Sequence, residues 1–96
     1  MDTFRAGYIT GILAASGTFT ARYIGVKSED FHSLQVLQAE LGGKVYGPYL
    51  RGKHEYYFWQ VFRVEEIYKA VIFLDRHLPD GSRKNQYLAW RAKYYN

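Results

Sequence analysis

The chain has 96 residues, enough for one domain that buries about two-thirds of the surface its unfolded form exposes. With 48% hydrophobic, 19% aromatic and 23% charged residues it can build a core, which excludes disorder; with no cysteine it excludes a disulfide scaffold, a cysteine nucleophile and a thiolate metal site. The net charge of +4 suits a polyanionic partner but is equally an ordinary solubility charge, so composition does not choose a function.

Phe4 to Ala15 reads as a helix of small and apolar residues that stops at Ser16-Gly17. Gly7, Gly11 and Ala15 lie four apart and stack along one stripe, widened by Thr10 and Ala14. A stripe without side-chain bulk lets another backbone approach closely. Tyr8, Ile9, Ile12 and Leu13 on the other face suffice to pack the helix on its own sheet. The spare small face therefore points to the same helix of a second copy across a two-fold axis, with an ordinary core helix as the alternative.

Thr18 to Tyr23 alternates as a half-buried strand does, and Ile24-Gly25-Val26 either continues it or pairs back. Ser28-Glu29-Asp30 supplies an N-cap, with Ser28 the capping candidate. Phe31, Leu34, Leu37 and Leu41 then follow at helical spacing until Gly42-Gly43 ends the run. Lys44 to Leu50 and Glu55 to Phe62 form a hairpin closed by Arg51-Gly52-Lys53-His54. Val64, Ile67, Tyr68, Val71 and Leu74 mark a third helix that fades at His77-Leu78. Within it lies the longest unbroken apolar stretch, Ala70 to Leu74, far too short to cross a bilayer. No charged-then-apolar leader precedes it, so an intracellular, cytoplasmic domain without membrane contact is expected. After the Pro79-Asp80-Gly81 turn, Ser82 caps a last helix carrying Leu88, Ala92 and Tyr95 on one stripe, with Tyr87 and Tyr94 beside it. This order indicates a single α+β domain over residues 1–96, one sheet covered by helices on one face.

Isolated chemistry is scarce. His32, His54 and His77 share no ligand spacing, and no serine sits in a nucleophile elbow. Glu65-Glu66 suits the start of a helix better than catalysis.

Residues 9–17, Ile9-Thr10-Gly11-Ile12-Leu13-Ala14-Ala15-Ser16-Gly17, resemble the LAGLIDADG motif of homing endonucleases. Gly11, Ala15 and Gly17 are identical to it, and Ile9, Ile12 and Leu13 are conservative. The order of elements along almost the whole chain is also that family's αββαββα layout, ending in a basic helix start, Arg83-Lys84-Asn85-Gln86. The resemblance implies a homodimer joined by motif helices, through Gly7, Thr10, Gly11, Ala14 and Ala15. It implies a curved antiparallel sheet laid in the major groove of duplex DNA. It also implies metal-assisted phosphodiester hydrolysis, with divalent ions held by the acidic residue at the foot of each motif helix.

Three departures qualify that implication. The acidic eighth letter of the motif is Ser16 here and the sixth is Ala14, and a neutral hydroxyl cannot offset or bridge magnesium ions. No catalytic residue, metal or cofactor is therefore expected. Only residues 18–27 separate Gly17 from Ser28, so the first hairpin is trimmed or lost. The face turned to DNA would carry Thr18, Thr20 and Arg22, then Lys44, Tyr46, Pro48 and Leu50, then Tyr56, Phe58 and Gln60. Phe19, Ala21, Val45, Tyr57, Trp59 and Val61 would lie under the helices, although one bulge would swap these sets. Arg22, Lys44 and Gln60 suit phosphate or base contact, joined by Arg51, Lys53 and His54 at the loop and by Arg83 and Lys84, but Pro48, Leu50 and Phe58 do not, which is the third departure.

The expectation is a catalytically inactive, homodimeric binder of duplex DNA, acting as a repressor or accessory factor. Two other readings stay open. The scaffold could be reused as a protein-binding module or inhibitor through its aromatic strand face, or it could bind RNA as maturases of this family do.

Overall fold

A computed structural model describes residues 2–95. Its elements run α1 (Thr3–Ser16), β1 (Gly17–Phe19), β2 (Ile24–Ser28), α2 (Phe31–Leu41), β3 (Lys44–Arg51), β4 (His54–Val61), α3 (Val64–His77) and α4 (Ser82–Tyr94). The four strands form one antiparallel sheet in the order β1-β2-β4-β3.

The first hairpin exists in trimmed form. Rather than running on to Tyr23, β1 ends at Phe19. The Thr20 hydroxyl accepts from the backbone N–H groups of Arg22 and Tyr23 (3.2 and 3.1 Å), and Thr20 N–H donates to the Tyr23 carbonyl (2.9 Å). A threonine hydroxyl that satisfies local backbone competes with the strand ladder, so alternation up to Tyr23 breaks into a tight turn. Two helix starts also differ from expectation. Asp30, not Ser28, caps α2 by accepting from the N–H groups of His32 and Ser33, while Ser28 ends β2 and its hydroxyl accepts from Asp30 N–H (3.0 Å). Gly81 stands at the N-cap of α4, and Ser82 is its first helical residue.

Helices cover one face of the sheet because alternate strand residues there are apolar. Ile24, Val26, Trp59 and Val61 are buried against Ile9, Leu13, Leu34, Leu37 and Leu41. Each such side chain contributes about 1.5–3 kcal/mol when fully buried. The Trp59 indole N–H donates to the Gly42 carbonyl (2.9 Å), and Gly43 N–H donates to Glu66 (2.7 Å). Thus one corner ties α2, β4 and α3 together, and Glu66 has a structural task.

The two C-terminal helices turn their apolar stripes differently from the sequence pattern. In α3 Ile67, Ala70, Val71, Phe73 and Leu74 are buried, whereas Val64 and Tyr68 are exposed. In α4 Tyr87 and Trp90 are buried and Leu88 is exposed. Phe19 of β1 explains the rotation of α4, because its ring packs 5.4 Å from Tyr87 and 5.7 Å from Trp90. Three large rings fill that corner better than Leu88 and Ala92 would. The Tyr87 hydroxyl donates to Asp75 (2.6 Å), which also accepts from Arg91 (3.0 Å), clamping α4 to α3. Partial burial raises the Asp75 carboxyl, but those hydrogen bonds and the guanidinium charge outweigh it and hold it below its ordinary value.

Candidate nucleic-acid interface

The uncovered face of the sheet is set by one bulge. Between the pairs Tyr46↔Phe58 and Tyr49↔Tyr56, β3 carries one residue more than β4. Gly47, at φ 115°, and Pro48 together stand opposite Tyr57. Such an insertion reverses the side-chain faces beyond it. The outer face of β3 therefore carries Lys44 and Tyr46, then Tyr49 and Arg51. Pro48 sits in the bulge, and Leu50, paired with Glu55, turns to the helix side at the exposed end of the hairpin. On β4 the outer set is His54, Tyr56, Phe58 and Gln60; on β2 it is Gly25 and Lys27; on β1 it is Thr18.

A Cβ at Gly25 would lie 2.6 Å from the Phe58 ring, so the ring rests on that glycine. Tyr23 meets the same ring edge-on at 5.4 Å, and Lys27 Nζ stands 5.9 Å from its centroid. Lys27, Lys44 and Arg51 thus surround an aromatic floor.

Of the residues expected at this interface, Thr18, Lys44, Tyr46, Arg51 and Gln60 do share the face. Thr20, Ala21 and Arg22 do not lie on a strand: they form the β1–β2 turn, for the reason given above. Hence Ala21 is exposed rather than packed under the helices, whereas Phe19, Val45, Tyr57, Trp59 and Val61 do face them. Lys53 occupies the β3–β4 turn. Lys84 pairs with Asp80 (3.2 Å). Lys27 and Tyr49 were not singled out in the sequence; the period-2 step from Gly25 would have found Lys27, but Tyr49 needed the bulge.

Arg83 reaches back to α1. Its guanidinium donates to the carbonyls of Ala14 (3.3 Å) and Ala15 (3.1 Å), at the C-terminal end of α1. A cation is favoured there by the helix dipole. Ser16 is the last residue of that helix. A divalent ion does not fit this donor set: one neutral hydroxyl is offered, the neighbouring carbonyls already accept from a cation, and among the described residues no three His, Cys, Asp or Glu side chains gather to hold a metal.

The small-residue stripe of α1 lies open. Gly7, Gly11 and Ala15 are exposed, and among the described residues a Cβ on Gly7 or Gly11 would meet nothing within 4 Å beyond its chain neighbours and its own helix backbone. Phe4, 87% exposed, and Tyr8, 39% exposed, continue the strip. Thr10 does not belong to it: it is buried, its hydroxyl bonded to the Ala6 carbonyl (2.6 Å). Ala14 is half-buried. A strip three or four residues apart drifts around the helix, which leaves position 10 facing the core.

No family model matches the sequence, and no curated protein does. Solved structures do match. The archaeal intron-encoded homing endonuclease I-Vdi141I, complexed with DNA, superimposes with a TM-score of 0.68 at 21% identity, over 93% of this chain and 65% of its own. The group I intron-encoded homing endonuclease I-CeuI, also complexed with DNA, gives 0.76 at 10% identity over 95% of this chain and 54% of its own. The LAGLIDADG meganuclease I-CpaMI, bound to uncleaved DNA, gives 0.69 at 15% identity over 91% and 36%. The chain has the LAGLIDADG homing-endonuclease fold. In this chain the first hairpin of that fold is short, with β1 three residues long and β2 five. The chain spans less than two-thirds of the length of these nucleases. Among the described residues no helix is long and apolar enough to cross a membrane.

Proposed function

We propose that the chain is a non-cleaving binder of duplex DNA that works as a pair of LAGLIDADG-like domains joined through α1. The observation that carries this reading is the outer sheet face, where Lys27, Lys44, Arg51 and Gln60 stand around a half-buried aromatic floor, on the fold shared with I-Vdi141I and I-CeuI, both complexed with DNA. Phosphate contacts supply the affinity. Few polar side chains are left to read base edges, so sequence discrimination is weak, which suits an accessory factor or repressor.

Pairing through α1 draws support from energetics. A glycine inside a helix costs about 0.5–1 kcal/mol relative to alanine. Gly7 and Gly11 incur that cost with no intrachain contact to require it, which a close-packed second backbone would explain. The absence of cleavage draws support from Ser16 and from the Arg83 guanidinium on the adjoining carbonyls.

Duplex binding measured across a salt series tests the reading together with light scattering. The expected result is a dimer whose affinity falls with salt. A binder indifferent to salt would move the reading to a protein partner on the aromatic face. Cleavage of duplex by the unaltered chain in magnesium would overturn the non-cleaving part.

A further inference from the structure

Tyr56 stands on the outer face of β4, paired with Tyr49 of β3. Across to β3 its ring meets Tyr49, with centroids 5.4 Å apart and planes tilted by 38°. His54 precedes it on the same face of β4, and His54 Nδ1 lies 3.7 Å from a carboxylate oxygen of Glu29, just beyond β2. With Lys27, Ser28 and Arg51, the residues Glu29, His54 and Tyr56 line an open cleft of about 310 Å³.

Each component has a counterpart in a single nucleotide. An aromatic ring offers a stacking surface to a base, which requires a free π-face. Lys27 and Arg51 offer charge to the flanking phosphates. The Glu29 carboxylate accepts from an exocyclic amino group, as acidic side chains do from cytosine. A base inside an intact duplex cannot use this arrangement, because both its faces are covered by its neighbours. Reading a major groove calls for amides and guanidinium groups aimed at base edges, and the centre of this face has rings instead.

We propose that the cleft holds one unpaired nucleobase of the bound DNA, stacked on Tyr56 beside Tyr49, with preference for a base bearing an amino group on its pairing edge. This rests on the reading that DNA lies on the outer face. It adds that the protein favours a site where one base has left the stack. Extruding a base is cheapest where it is already unpaired.

Three DNA probes of one sequence test it: a fully paired duplex, the same duplex with one extra unpaired cytosine, and the same with one unpaired thymine, which lacks the amino group. The expected order is cytosine tightest, by about tenfold over the paired duplex, with thymine between. Tyr56→Leu should remove the preference for either bulge, bringing the ratio of bulged to paired affinity to about one whatever it does to duplex binding itself. Glu29, 68% exposed, is remote from the core, so Glu29→Gln should erase the cytosine-over-thymine preference with no change in thermal melting. Equal affinity for all three probes overturns the cleft proposal while duplex binding stands. A bulge preference that survives both substitutions reflects easier bending of the duplex and also overturns it. Binding to none of the probes overturns the DNA reading itself.

Discussion

The two faces of the sheet use similar residues for opposite ends. On the helix side Trp59 is fully buried, and its indole N–H is satisfied by the Gly42 carbonyl. On the other side Tyr46, Tyr49, Tyr56 and Phe58 form a layer of rings that no element among the described residues covers, interleaved with Lys27, Lys44 and Arg51. Aromatic content therefore says little about location. What separates the faces is whether the alternate neighbours are aliphatic or cationic. α1 repeats the lesson at smaller scale, with Ile9 and Leu13 buried on one side and Gly7, Gly11 and Ala15 open on the other.

The sharpest way to break the comparison is to truncate one ring on each face. Trp59→Ala should lower folding stability by about 3–5 kcal/mol, through lost burial and the cavity left behind. Tyr49→Ala should change stability by less than about 0.5 kcal/mol, as exposed substitutions do. Chemical denaturation of both variants measures this, and comparable losses would mean that the outer layer is a second core.

A smaller effect is expected at the α3–α4 clamp. Asp75→Ala should cost about 1 kcal/mol, since Tyr87 keeps its contact with the Val71 carbonyl (3.2 Å). The folded carboxyl titrates below its ordinary 3.8. Its contribution is therefore complete above that pH and lost as pH falls through the lower folded value. Acid unfolding of the wild type should narrow the gap to Asp75→Ala, and an unchanged gap at pH 2 would remove the carboxylate from the clamp.

Smaller still, and opposite in sign, is the effect on α1. Gly11→Ala should stabilise the isolated fold by about 0.5–1 kcal/mol while weakening pairing, and Gly11→Leu should give monomers by light scattering. A Gly11→Leu chain that remains dimeric would take α1 out of the interface.

Much of this was legible from residue order. The motif-like run from Ile9 to Gly17, the helix stop at Gly42-Gly43 and the Tyr-rich hairpin placed the helices, the strands and the fold. What stayed hidden had physical causes. The Thr20 hydroxyl turned an apparently continuous strand into a tight turn, which took Arg22 away from the strand face. The extra residue at Gly47-Pro48 reversed the parity of β3, exchanging Pro48 and Leu50 for Tyr49 and Arg51. In α4 the stripe at Leu88 lost to ring packing around Phe19. The bonds from Arg83 to the Ala14 and Ala15 carbonyls span 69 and 68 residues of chain; long-range pairing of that kind leaves no local periodicity.

The central claim is that the outer face grips the phosphates of duplex DNA. It is tested most directly by the binding constant measured between 50 and 200 mM salt for the wild type, Lys44→Ala and Arg51→Ala. The account predicts a linear fall of log affinity with log salt, flattened by about 0.9 for each phosphate contact removed. A slope that neither substitution changes, or no binding at micromolar protein, would contradict it.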